Sequence, residues 1–499
     1  MMITRRHLLL VALLLGWPGH VHATEYYVDT SSLGGSCSDA NSGTQEAPWC
    51  TLGRANSQVG PGDTAFIRQG TYHETIQPVR SGESDRPITF MSFNGEAACI
   101  TGVYGSKRGY AASLENRRHI VLDSISFDGR DPNGNSYSHV GIYLNNSQYV
   151  VIRNCTIANF QKYDNSVGYG IWAREDVNYL GIDGCSVHHN GTEDANKQNG
   201  ANIHIFGKPG GIMGNIVIKD SESYNSWTED GLQIGMRGLV TDVLIENSEF
   251  HGNKEDGIDM KEVERVTVRN CDLWGHQVSP TGGGAGIVIH KGARDVLVEQ
   301  SRSHGNDYGF TIQYNSNGTS RSTERITVQQ SDIYENRLFG IHVAGGYWAG
   351  PMEGMLRDIY LYNNTIYDNS TGVWLFAHQA GDVTSVVLRN NISWLNEASD
   401  FSVHSDRIKD LDTDFNDFPG ASVERTLYWH DGLRTLGEFQ AVSGQEAHSL
   451  AEDPLFRDPA AAGFSLQEDS PAIDRGTDVG LEFNGSAPDL GAHETSLRL

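Results

Sequence analysis

Cysteine is scarce in this chain, at six in 499 residues. None stands in a CxxC or Cys/His spacing, which excludes a zinc-finger or iron–sulfur reading. Basic residues are scarce too: 37 Lys and Arg face 63 Asp and Glu, a formal net charge of −26. Phosphate binding needs a basic face, so nucleic acid is not expected as a partner. The same anionic excess repels a polyanion at long range, so a polyanionic ligand would need a local positive site. Helical periodicity is nearly absent. Long apolar runs are absent beyond the N-terminal leader, so no later segment is expected to span a bilayer. In the leader, Arg5 and Arg6 precede the apolar "LLLVALLLGW", and Val21-His22-Ala23 offers small residues for cleavage. That run is too short for a membrane span, so 1–23 reads as a signal peptide and the protein as secreted or periplasmic.

What the chain has in quantity is glycine, at 57 residues, and many glycines open an alternating strand. The first strands of one repeated phrase include "GIYLNN" (141), "GIWARE" (170), "GLQIGM" (231), "GIDMKE" (257), "GIVIHK" (286), "GFTIQY" (309), "GIHVAG" (340) and "GVWLFA" (372). Second strands and their turns include "VVIRNCTI" (150), "VTVRNCDL" (266) and "IYLYNNTI" (359). The spacing lies in the solenoid range, and each unit is too short to bury its apolar face alone. The pattern predicts an all-β, right-handed parallel β-helix over residues 115–400. An N-terminal cap and first coils are expected over 24–114, and a C-terminal capping segment over 401–499.

Aligned turn positions read Asn154, Gly184, Asp220, Asn247, Asn270, Gln300, Gln330, Asn363 and Asn390, which predicts amide side chains bonded from coil to coil. The next column (Cys155, Cys185, Ser221, Ser248, Cys271, Ser301, Ser331) is small throughout. It predicts inward positions, with the three cysteines as packed thiols. Cys37 and Cys50 flank a Gly/Ser-rich loop and could pair in an oxidising compartment. The segment 26–76 resembles the usual opening of secreted β-helix proteins, and 453–494 their usual closing segment.

The stretch "NKEDGIDMKEV" (253–263) packs Glu255, Asp256 and Asp259 together, and "WTEDGLQIG" upstream carries Glu229 and Asp230. With Leu232 and Ile234 in register with Ile258 and Met260, one outward column reads His204, Gln233, Asp259, Val288, Thr311. The next reads Phe206, Gly235, Lys261, His290, Gln313. Adjacent coils are about 4.8 Å apart, so five carboxylates are expected on one patch. Two like charges about 5 Å apart repel by about 3 kcal/mol at an effective dielectric near 20. A divalent cation would relieve this, and a dense set of oxygen ligands suits Ca²⁺.

At these residues the chain resembles polysaccharide lyase family nine, the pectate and uronan lyases with a β-helix fold. Asp230, Glu255, Asp256 and Asp259 match that family's calcium site, with Glu255 where Asp is commoner. The resemblance implies Ca²⁺, an acidic polysaccharide substrate and cleavage by β-elimination. One departure stands out: the position of the family's catalytic lysine is Val288 here, so the base is sought among Lys261, His290 and Lys291. Arg237, Arg294 and Lys208, just past outward strands, are candidates for substrate binding, and Tyr347 and Trp348 for stacking on sugars. A uronan C5-epimerase on the same site and a non-catalytic glycan-binding β-helix are the alternatives. A monomer is expected.

Overall fold

The computed structural model describes residues 23–105, 109–131, 137–161, 168–192, 200–277, 283–314, 321–345, 355–377 and 381–496. The signal-peptide expectation over 1–22 lies outside them, as do Tyr347 and Trp348. The chain divides into two compact units, 1–255 and 256–499. Each is built from strands stacked in parallel, coil upon coil.

In the first unit the first strands of successive coils pair as Ile142↔Ile171, Ile171↔Ile203 and Ile203↔Leu232. In the second, Ile258 pairs with Ile287, then Phe310, Ile341, Val373 and Phe401 follow. All of these apart from Val373 are at most 1% exposed. Each coil stacks one aliphatic or aromatic side chain on the next, which is how units too short to fold alone share a core. A one-residue slip would turn that column outward, so the inward alternation specifies the register.

The turn column has a backbone reason. Asn154, Gly184, Asp220 and Asn247 in the first unit, and Asn270, Gln300, Gln330, Asn363 and Asn390 in the second, all hold positive φ between 49° and 61°. Asn, Asp and Gly enter this left-handed region at least cost, so composition follows conformation. The expected amide ladder is present there only in part, for example Asn247 Nδ2 donating to Asp220 Oδ1 at 3.1 Å and Asn390 Nδ2 to Asn363 Oδ1 at 3.0 Å.

Continuous ladders run in neighbouring columns. The small column bonds main chain to side chain: Cys271 N to Ser301 Oγ, Ser301 N to Ser331 Oγ, Ser331 N to Asn364 Oδ1, each at 3.1–3.2 Å. It then continues through Asn391 and Asn416. A second buried ladder links Asn306, Asn336, Asn369 and Asn396. Cys155, Cys185 and Cys271 are buried free thiols, and Cys37 pairs with Cys50 in a disulfide. A helix, Leu436–Ser443, opens on a Thr435/Glu438 capping box. The hairpin Phe456–Asp458 with Gly463–Leu466 packs Phe456, Phe464 and Leu466 against Tyr334 and Ile392, covering that side of the coils with tail residues.

Candidate active site

The strand Ile258–Arg269 begins at Ile258, which with Met260 is fully buried inside the coil. Alternation therefore sends Asp259 and Lys261 to the outer face. Pairing with Ala285–His290 sets Asp259 beside Val288 and Lys261 beside His290. Asp259 thus meets a residue 31 positions on, its Oδ1 lying 2.9 Å from His290 Nε2, while Oδ2 forms an ion pair with Lys261 Nζ of its own strand. All three are at least nine-tenths buried. Asp256 is also buried, and its Oδ1 accepts a hydrogen bond from Ala285 N at 2.8 Å.

Burial alone would raise the Asp259 carboxyl, but Lys261 and His290 outweigh it and hold Asp259 below the usual carboxylate range. Burial pushes His290 down, against the opposing pull of Asp259. Burial, with the Lys261 charge adding to it, also pushes Lys291 below the ordinary lysine range. Lys291 stands at the turn in left-handed conformation (φ 50°) and makes no ion pair among the described residues. Of the three candidate bases, Lys261 and His290 are thus committed to Asp259, and Lys291 is the uncommitted amine.

In the first unit, Glu229, Asp230 and Glu255 each bring a carboxylate oxygen to within 4.8 Å of the others. The backbone arranges this: Glu255 N donates to Glu229 O at 3.1 Å, stacking the second acidic turn on the first. Glu229 and Asp230 are 6% and 1% exposed. Gln233, next outward on the strand, donates from Nε2 to Asp230 Oδ2 at 2.9 Å. Carboxylates packed this closely while held from water fit a hard cation with oxygen ligands.

The three outlying cations have other neighbours. Lys208 Nζ lies 3.8 Å from Asp176 Oδ2, Arg237 sits over the Phe206 ring at 5.4 Å, and Arg294 Nε lies 3.5 Å from Glu324 Oε1. Lys208 and Arg237 are exposed. Two residues that sequence reading passed over share the Asp259 column: His342 and Trp374, reached through Val288 and Thr311. The signal was present, since both occupy the outward position of "GIHVAG" and "GVWLFA", and extending the column by two coils would have found them.

Comparison with known proteins places the chain among β-helices. It is 24% identical over 462 residues to the uncharacterized protein YwoF of Bacillus subtilis (strain 168), spanning 87% of this chain and 90% of that one. It is 34% identical over 89 residues to pectate lyase PEL9 of Emericella nidulans, which is 17% of this chain and 22% of the relative. Among solved structures it is similar to the tailspike protein of E. coli bacteriophage HK620, at TM-score 0.50 and 11% identity over 79% of this chain and 70% of that one. Pectate lyase Pel9A matches at TM-score 0.45 and 14% identity, over 96% and 98%. The model for the right handed beta helix region matches residues 131–277 and 214–391, more than half of the sequence. With its strands stacked in parallel register in both units, the chain belongs to the right-handed β-helix family.

Proposed function

We propose that this protein is a secreted, calcium-dependent polysaccharide lyase that cleaves a uronic-acid-containing polysaccharide by β-elimination. The observation that carries the reading is the buried Asp259 held between Lys261 and His290, with Lys291, which makes no ion pair among the described residues, at the adjoining turn. The local likeness to a pectate lyase supports it. So does the concentration of cationic and imidazole groups at one outward patch of a strongly anionic chain. The carbohydrate is the partner; neither nucleic acid nor a membrane span is part of the proposal, and the working unit is a monomer.

Asp230 and Glu255 in the first unit, and Asp256 and Asp259 in the second, are proposed cation ligands: each offers only carboxylate oxygens, and Asp230, Asp256 and Asp259 are at most 5% exposed. Bound at Asp256 and Asp259, Ca²⁺ would offset the charge of the substrate carboxylate and so make the neighbouring C–H proton easier to remove. Lys291 is the proposed base. Its lowered pKa enlarges the neutral fraction that can accept a proton. The C–H electron pair becomes the new double bond as the bond to the 4-oxygen breaks, and the departing oxygen takes a proton from solvent. Lys261 and His290 act as positioning residues that fix the Asp259 carboxylate. Lys208, Arg237 and Arg294 would attract the remainder of an acidic chain.

The test is a panel of uronic-acid polymers assayed for the ultraviolet-absorbing unsaturated product, with calcium and with a chelator. Product is expected on at least one polymer, lost with chelator, and reduced at least about 100-fold in Lys291→Gln. An epimerase would convert the sugar without that product, and a glycan-binding protein would bind without turnover. Either result overturns the lyase reading.

A further inference from the structure

We propose that the outward face running from Tyr308 to His404 is a saccharide platform that takes uncharged pyranose rings of the substrate, on one side of the reacting uronate. The proposal rests on the polysaccharide reading above for its ligand class, and it makes the substrate a mixed polymer with neutral sugars beside the acidic one.

Register carries the first part. Within the second unit a single outward column reads Asp259, Val288, Thr311, His342, Trp374, Ser402. At about 4.8 Å per coil, His342 lies roughly 14 Å and Trp374 roughly 19 Å from Asp259 along the stacking direction. The two positions between are short side chains, so a chain held at Asp259 can pass over them and reach the aromatic group.

The rings form one continuous surface. Phe339 and Trp374 stack at 4.7 Å and 10°, and His342 and Trp374 at 5.0 Å and 19°. Phe376 lies parallel to Trp374 within 3°. Tyr308 adjoins His342 at 5.5 Å, and His404 adjoins Trp374 at 5.4 Å. All of these except His342 are partly exposed. Stacked on one another, the rings still leave apolar surface partly open to a ligand, where an interior core would seal it in.

Charge selects the occupant. The strands Tyr308–Tyr314, Phe339–Gly345, Thr371–Ala377 and Ser399–Val403 contain no Lys or Arg. Lys261, His290 and Lys291 all stand in the two coils at the Asp259 end. A carboxylate on the platform would find no cation on these strands, so the sugars that lie there are neutral ones held by their ring faces.

His342 adds an independent sign. It is 6% exposed, and neither ring nitrogen has a hydrogen-bond partner among the described residues. An unsatisfied buried polar group is costly, and a purely structural position would avoid that cost with an apolar ring. Burial holds the imidazole neutral, with one N–H donor and one acceptor. That pair complements a sugar hydroxyl, which both donates and accepts.

The experiment is calorimetric binding of two probes, a neutral β-1,4-linked mannose hexasaccharide and hexagalacturonate, to the full-length protein carrying Lys291→Gln to prevent turnover. The neutral probe is expected to bind. Adding Trp374→Ala should weaken it at least about tenfold, and His342→Phe, which preserves the ring packing, should weaken it measurably. Neither change should alter hexagalacturonate binding as strongly. Unchanged melting temperatures establish that both variants fold. Equal affinity of parent and Trp374→Ala for the neutral probe, or no neutral binding at all, overturns the platform. Failure of the lyase reading shows separately, as absence of unsaturated product from the protein with Lys291 intact while neutral binding persists.

Discussion

Asp259 is a single carboxylate with two buried partners, and at that scale its removal has a sharp outcome. Asp259→Asn leaves Lys261 and His290 without their counter-charge in a site where both are at least nine-tenths buried. Breaking a buried pair from one side costs about 3–5 kcal/mol, because the remaining charge stays out of water. Urea unfolding of the variant should show a loss of about that size, and Lys261→Met in the same background should recover part of it. Cation binding is tested at the same residues. Calcium at 100 times its dissociation constant should stabilise the parent by about 2.7 kcal/mol, read as a rise in melting temperature. Asp256→Asn should abolish most of that rise. A parent protein indifferent to calcium and chelator would remove the cation from the proposal. The site was legible in the sequence as far as residue type and spacing could carry it. Lys261 stands two residues from Asp259 on one strand face, so its ion pair with Asp259 or Glu262 was legible too, and Asp259 is the partner. That Lys291 makes no ion pair among the described residues was beyond reach, because it depends on where a flexible side chain comes to rest.

Among the elements, the buried asparagine ladders hold coil to coil. Asn369 donates from Nδ2 to Ile333 O at 3.1 Å and to Asn396 Oδ1 at 3.0 Å, while its own Oδ1 accepts from Asn336 N and Nδ2. Asn369→Ala strands several buried groups at once, each worth about 1–3 kcal/mol. A loss of about 3 kcal/mol or more is expected in chemical denaturation. Asn247, exposed at its place in the left-handed column, should tolerate Gly with a change within about 0.5 kcal/mol. Equal costs at the two positions would contradict the distinction. Sequence reading saw the left-handed column because Asn, Asp, Gln and Gly recur there. It credited those residues with hydrogen bonding, when a positive φ was the stronger demand. The interior ladder was equally regular, since Asn306, Asn336, Asn369 and Asn396 each stand six residues after Gln300, Gln330, Asn363 and Asn390; it escaped notice because a turn asparagine reads as readily as a solvated one, and burial shows only in the folded coil.

For the molecule as a whole, stability should depend on pH through carboxyls that fold in protonated form. Burial pushes Asp400 up to about 7, Asp417 to about 8 and Glu446 to about 7. Each lies on the capping side of the second unit's coils: Asp400 ends the Asn396 ladder, and Glu446 accepts from Asn416. With folded pKa values raised above the unfolded ones near 4, their contribution is fully present below about pH 4. It declines as pH rises and is lost once pH passes the folded values near 7–8. Asp259 and His290 act in the opposite sense. Asp259 is depressed, so its contribution holds above about pH 4 and falls away as pH drops through its folded value. His290 is also depressed, and costs stability as pH falls below about 6.5. The melting temperature should therefore peak in mildly acidic solution and decline toward pH 9. Asp417→Asn should flatten the alkaline decline. A melting temperature still rising between pH 6 and 9 would refute the assignment.

Periodicity alone determined the architecture. A two-residue alternation that restarts every few tens of residues has one economical solution, a stack of coils whose apolar columns bury one another. Residue identity also marked the acidic turns, since carboxylates repeated one coil apart announce themselves by type. What only the tertiary structure decided is which of those groups are spoken for. Cross-coil register brought His290 to the carboxylate that Lys261 already flanks on its own strand, lined His342 and Trp374 up with it, and buried Asp400, Asp417 and Glu446 deeply enough to raise their pKa values. Pairing and desolvation arise between residues far apart in the chain, so no local pattern encodes them.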